Sequence, residues 1–243
     1  LPGAGKLHPH NGDINIAGTD GACFDDRDGV TGDPGDCGGS EGQWTFDGFV
    51  AEFISGNIVY NAAQMKIIHN YLAAKYDIDL PVGEDFYSYE SGYSHELFGI
   101  GQVNADTSHL AAQGSGIIKI ENPSNINDGE YMLMAHNGDS IVQWDTTNVP
   151  NNDQYIRRVK REWRVDQHGG DPGTIDILLD SAALSTLPSG FSDYVLMVDN
   201  DGDFTSGSEV YLMDESSFQD NVGYHYLKVS GIDFDAGDYY TIG

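Results

Sequence analysis

Tyr194-Val195-Leu196-Met197-Val198-Asp199-Asn200-Asp201-Gly202-Asp203-Phe204 begins as an apolar run and ends in an acidic turn. Glu209-Val210-Tyr211-Leu212-Met213 then resumes the apolar pattern. Short apolar runs bounded by Gly and Asp read as β-strands joined by a tight turn. Within the turn Asp199, Asp201 and Asp203 alternate, so one face offers three carboxylates, Gly202 permits the bend, and Glu209 follows within reach. Close, uncompensated carboxylates repel one another, and a hard cation that collects their oxygens relieves the repulsion, which is calcium chemistry. The spacing is not that of an EF-hand, whose loop has Gly sixth and Glu last; counted from Asp199, Gly is fourth and Glu eleventh. The competing reading is a solvated acidic turn between two strands.

Outward from this pair, apolar runs with turn signals between them recur at 97–103, 117–121, 131–135, 141–144, 155–166, 174–179, 226–229 and 239–242. Many short strands over this length predict an antiparallel β-sandwich across 95–243. Upstream, 44–46 and 49–54 read as further strands, and Ile14 to Ala17 as one more. Asn61 is a good N-cap for a helix running to Tyr76, with Met65, Ile68, Tyr71, Leu72 and Tyr76 as its apolar stripe. Residues 81–94, with Pro81 and Gly83, read as a linker. The predicted organisation is therefore 1–80, a linker at 81–94, and a sandwich module over 95–243, all-β apart from the one helix.

The chain has 39 Asp+Glu against 11 Lys+Arg, a formal net charge of -28. This excludes nucleic acid as a partner, since phosphate binding needs a basic face, and it disfavours an anionic membrane. No segment is long and apolar enough to span a bilayer. Hydrophobic residues at 39% suffice for packed cores, so this is not a disordered acidic tail. Leu1 in place of an initiator Met suggests a piece of a longer, processed protein. The two cysteines, Cys23 and Cys37, are expected to form a disulfide in an oxidising exterior. Around them Asp20, Asp25, Asp26, Asp28, Asp33 and Asp36 make a second candidate calcium loop, with Asp25 and Asp28 as ligands and an acidic flexible loop as the alternative.

Other motifs point away from catalysis. His95-Glu96 starts like a zinc-protease helix motif, yet position 99 is Gly and the context is strand. Gly38-Gly39-Ser40-Glu41-Gly42 matches a nucleophile elbow in letters only, because an acidic loop precedes it and a strand follows. Arg157, Arg158, Lys160, Arg161 and Arg164 concentrate basic charge on one predicted strand; an anion site competes there with pairing to acidic neighbours. Trp163 reads as core, and Trp44 and Trp144 as packing rather than sugar platforms.

Two segments resemble known families. Phe46-Asp47-Gly48-Phe49-Val50-Ala51-Glu52-Phe53-Ile54, then Val59-Tyr60-Asn61 and the helix ending Tyr71-Leu72-Ala73-Ala74-Lys75-Tyr76, resembles the C-terminal end of a laminin-G/concanavalin-A-like jelly roll. Phe98-Gly99-Ile100-Gly101, Glu162-Trp163-Arg164-Val165, the Val198–Phe204 turn and the terminal Tyr240-Thr241-Ile242-Gly243 are similar to a β-sandwich module that follows such jelly rolls in bacterial surface and adhesin-like proteins. The resemblance implies a partial jelly roll ahead of the sandwich, a secreted or cell-surface location, and a non-enzymatic structural or adhesive role stiffened by calcium. The alternative function is a carbohydrate-binding, lectin-like module. An incomplete jelly roll also implies self-association through the first 80 residues, as an oligomer or filament.

Overall fold

The computed structural model describes residues 50–114, 117–152, 156–184, 186–219 and 225–243. The expected strands at 14–17 and 44–46, the cysteine pair Cys23 and Cys37, and the acidic loop with Asp25 and Asp28 lie outside these residues. The chain divides into two compact units, Leu1–Asn57 and Ile58–Gly243.

Unit Ile58–Gly243 opens with helix α1 (Ala62–Tyr76). Strands β1 (His95–Asn104), β2 (Thr107–His109), β3 (Ala111–Gly114), β4 (Ile118–Glu121), β5 (Tyr131–His136), β6 (Trp144–Asp145) and β7 (Arg158–Val159) follow. Then come β8 (Trp163–His168), β9 (Ile175–Asp180), β10 (Tyr194–Asp199), β11 (Glu209–Gln219), β12 (His225–Ile232) and β13 (Tyr239–Ile242). Eleven strands pair in the order β2-β1-β5-β8-β13-β10-β11-β12-β9-β4-β3, and β6 with β7 makes a separate small ladder. The pairings are antiparallel, so the all-β reading holds.

Strand β11 turns the ladder over on itself. Its first part pairs with β10, from Val198↔Glu209 to Tyr194↔Met213, and from Asp214 onward it pairs with β12. The two resulting layers face each other with the period-two alternation of strands. Ile100, Met132, Met134, Trp163, Val165, Leu196, Val198, Tyr240 and Ile242 from one layer meet Ile118, Ile120, Ile177, Leu179 and Ile232 from the other in a single core. At the far end β3 closes against β1 so tightly that a Cβ on Gly114 would lie 2.2 Å from Phe98 Cδ1. The sandwich is thus nearly a barrel.

Helix α1 covers the opposite face of β1 and β5. Ala63, Ile67 and Ala74 pack with Phe86 and Tyr87 onto Leu97, Tyr131, Leu133 and Ala135. With both faces covered, β5 is buried at every position, which is why Tyr131–Ala135 is a continuous apolar run ahead of the buried His136. The predicted cap is present: Asn61 Oδ1 accepts from the Gln64 amide at 2.9 Å, and Gln64 Oε1 accepts from the Asn61 amide at 3.0 Å. Asn70, buried on the same helix, donates to the carbonyls of Lys66 and Glu84 and accepts from the Phe86 amide at 2.7 Å. One side chain therefore ties the segment at 84–86 to the helix.

The domain reading needs correction. The helix belongs with the strands, and 81–94 is no spacer, because Phe86 and Tyr87 are core residues of the second unit. The buried helical face is also not the predicted stripe. Met65 is exposed, while small Ala residues and Ile67 face the sheet, since close approach of helix to sheet favours small side chains. Residues 50–54 form no strand; Val50, Phe53 and Ile54 stay exposed, so no burial rewards an extended ladder there. The run at 155–166 breaks into β7 and β8, so the single basic strand expected across it does not exist.

Candidate functional site

Strand β10 sends Leu196 and Val198 into the core and ends on Asp199, opposite Tyr239 of β13. Asp199 is only 3% exposed. Its Oδ1 accepts from the amides of Asp201 at 2.9 Å and Gly202 at 2.8 Å. Asp201 Oδ1 accepts from the Asp203 amide at 2.8 Å, and Asp203 Oδ1 accepts from the Thr205 amide at 3.2 Å and its hydroxyl at 2.6 Å. Each carboxylate thus holds the backbone just ahead of it, the Asx habit that makes Asp a turn former. Gly202 adopts φ +81, which a side chain would strain.

The turn is anchored from below and from one side. Phe204 is fully buried, and the Arg158 guanidinium lies 5.4 Å from its ring centroid. Asn148 Nδ2 donates to the Gly202 carbonyl at 3.0 Å, and the Asn151 amide donates to the Thr205 carbonyl at 3.0 Å. Asn148 Oδ1 is buried with no hydrogen-bond partner among the described residues.

Charge accumulates here without a basic partner among the described residues. Burial, and then the neighbouring Asp201, hold the Asp199 carboxyl above the usual carboxylate range. Asp238, in the turn between β12 and β13, is raised as well, by burial first and then by Asp235, Asp199 and Glu209. Asp203 is lowered by its bonds from Thr205. Glu209 accepts from the Tyr211 hydroxyl, which that bond, with burial and the carboxylate's charge, pushes up to about 12. Among the described residues no Lys, Arg or His forms an ion pair with these acids. Nor are three of them, as they stand, placed to hold one metal ion. The expected ligands Asp199, Asp201, Asp203 and Glu209 thus line one acidic stretch without converging on a single point, and Asp238 feels the charge of Asp235, Asp199 and Glu209; its own acidic turn, Asp233-Phe234-Asp235-Ala236-Gly237-Asp238, was the overlooked signal.

A second polar cluster sits where β1 meets β5. Glu96 has φ +53 at a register shift in that pairing, and its Oε2 lies 2.8 Å from Nε2 of the buried His136. The Gly138 amide donates to His136 Nδ1 at 2.9 Å, so Nδ1 is unprotonated and Nε2 carries the proton. Arg161 lies 3.8 Å from Glu96, and His95 stacks on His136 at 5.6 Å between centroids. Burial lowers the His136 pKa against the opposing pull of Glu96. Both imidazole nitrogens are engaged, which makes this a structural clamp on the turn at 137–139.

Several of the basic residues are engaged within the chain, while Lys160 is exposed. Arg158 pairs with Glu162 at 2.8 Å. Arg164 lies within a cage of Tyr89, Tyr239 and Tyr93, 3.7, 4.5 and 5.9 Å from the ring centroids. Trp163 is core, and Trp144 packs beside Tyr194 with its Nε1 donating to the Thr186 carbonyl. No helix of the described residues is long and apolar enough to cross a membrane. The model of a family described as a domain of unknown function, DUF8202, matches residues 64–236, from the first turn of α1 to the turn after β12. No curated protein and no solved structure matches the chain.

Proposed function

The chain belongs to the DUF8202 family, and from that premise we propose that it is a non-enzymatic, extracellular structural or adhesive module, stiffened by calcium at the Asp199 turn. The observation that carries this reading is Asp199 itself: nearly fully buried and without an ion-pair partner among the described residues, with a second raised carboxyl, Asp238, nearby. A buried charge with no compensation opposes folding, and a cation removes that opposition. The three Asx bonds of Asp199, Asp201 and Asp203 use Oδ1, and each carboxylate has a second oxygen to offer an ion.

The lectin-like alternative receives less support. Among the described residues every Trp and Tyr is buried or half-buried, and Trp144 is committed to packing. Self-association remains part of the proposal because Val50, Phe53 and Ile54 are exposed ahead of the helix. Calorimetric titration of calcium into chelator-stripped protein tests the ion. Saturable uptake that Asp201→Ala weakens supports the reading, and no uptake by the parent chain rejects it.

A further inference from the structure

Strand β11 changes partners in mid-course. Over Glu209–Met213 it pairs with β10 in unshifted register, and by Asp214 it has joined β12. Over Glu209–Met213 the only pairing among the described residues is with β10, and β12 pairs from Asp214 onward, so the far backbone edge of Glu209–Met213 has no ladder partner among the described residues. Tyr211 and Met213 turn toward the core, while Val210 and Leu212 point outward and stay 43% and 56% exposed. Val195 of β10 stands beside Leu212, which extends the apolar face inward from the edge.

An exposed, regular, apolar edge is a template for another strand, and proteins normally blunt it with Pro, Lys or a bulge. Glu209-Val210-Tyr211-Leu212-Met213 has no Pro or Lys, and its pairing with β10 has no bulge. Acid stands at its ends instead: Glu209 and Asp214 are exposed, and the charge of Asp233 reaches Tyr211. A second copy of this same edge is a poor occupant, because Glu209 and Asp214 of the two copies would stand close to one another and like charges set opposite each other destabilise strand pairing. We propose that this edge accepts an extended peptide with alternating apolar and basic residues, added as a further strand beside β11. Backbone hydrogen bonds supply the pairing, Val210 and Leu212 receive the apolar side chains, and Glu209, Asp214 and Asp233 select the basic ones.

The probe is a fluorescent synthetic peptide of alternating Val and Lys, measured by anisotropy with the full chain in chelator. Three comparators accompany it: an alternating Val and Glu peptide, the Val and Lys peptide with N-methylated backbone amides, and the Leu212→Lys variant, whose exposed site leaves the core intact. The expected result is binding of the Val and Lys peptide, weakened about tenfold or more by N-methylation and by Leu212→Lys, with none for the Glu peptide. Equal binding of the N-methylated peptide would reduce the effect to bulk charge and overturn strand addition. Absence of binding overturns the proposal outright. Dimerisation of the parent chain that Leu212→Lys abolishes would assign the edge to a second copy and overturn the basic partner.

Discussion

Strands β5 and β11 belong to the same layer and share the same pleat, yet they live in opposite surroundings. In β5, Met132 and Met134 face the sandwich core while Tyr131, Leu133 and Ala135 lie under α1, so no position is open. In the first part of β11, Tyr211 and Met213 pack inward, and Val210 and Leu212 have nothing comparable over them. What separates the two is a cover: a helix with small residues on its inner face, and the segment at 84–87 that Asn70 ties to it. Stability should therefore concentrate at the covered half. Unpaired charge and open backbone collect at the other, where an ion or partner strand has access.

The largest expected effect tests that contrast directly. Leu133→Ala, under the helix, should cost about 2–5 kcal/mol, whereas Leu212→Ala should fall within about 0.5 kcal/mol of the parent. Urea unfolding of both variants checks this, and equal losses would break the distinction. Next in size is the helix tie. Asn70→Ala strands the buried Phe86 amide and should cost about 1–3 kcal/mol, with faster hydrogen exchange at that amide. Unaltered exchange there would show that the segment holds itself in place.

A smaller effect separates the two halves by pH. The lowered His136 pKa means that the unfolded chain binds its proton more readily, so this contribution is full above the ordinary histidine value and is lost as pH falls from there through the lowered value of the folded chain. Asp199 and Asp238 have raised pKa values, so the folded chain binds their protons more readily. Their penalty is full at neutral pH and shrinks on acidification toward the ordinary carboxylate range. In chelator, His136→Gln should flatten the first limb of a melting-temperature profile. Asp199→Asn, which keeps the acceptor oxygen and removes the charge, should stabilise the chain at neutral pH and flatten the second. A profile that Asp199→Asn leaves unchanged would mean that its charge is already compensated.

Much of this was legible before the fold was known. Tyr194–Asp199 and Tyr239–Ile242 have the bounds the sequence predicts, because an acidic turn follows the first apolar run and another precedes the second. Asn61 announces the helix start by its chemistry, and the structure adds Gln64 as its reciprocal partner. Strands β2 and β3 were not legible: Thr107-Ser108-His109 and Ala111-Ala112-Gln113-Gly114 carry no apolar alternation and owe their form to pairing with β1 and β4. The break before β8 was hidden for a similar reason. The Lys160 and Arg161 amides donate to the carbonyls of Gln143 and Ser140, a contact that local charge does not reveal. At the site, the alternation of Asp199, Asp201 and Asp203 was plain, but Asp238 reaches Asp199 only through the pairing of β10 with β13.

The central claim is that the acidic turn is an ion seat and not merely a solvated corner. Scanning calorimetry of the native chain, in excess calcium and then in excess chelator, tests it most directly. Binding to the folded state alone contributes about 2.7 kcal/mol at a hundredfold excess over the dissociation constant, and about 2–4 °C of melting temperature follows each kcal/mol in a unit of this size. The account predicts a melting temperature several degrees higher in calcium, with the gain largely lost in Asp201→Ala. Superimposable traces in calcium and chelator would contradict it.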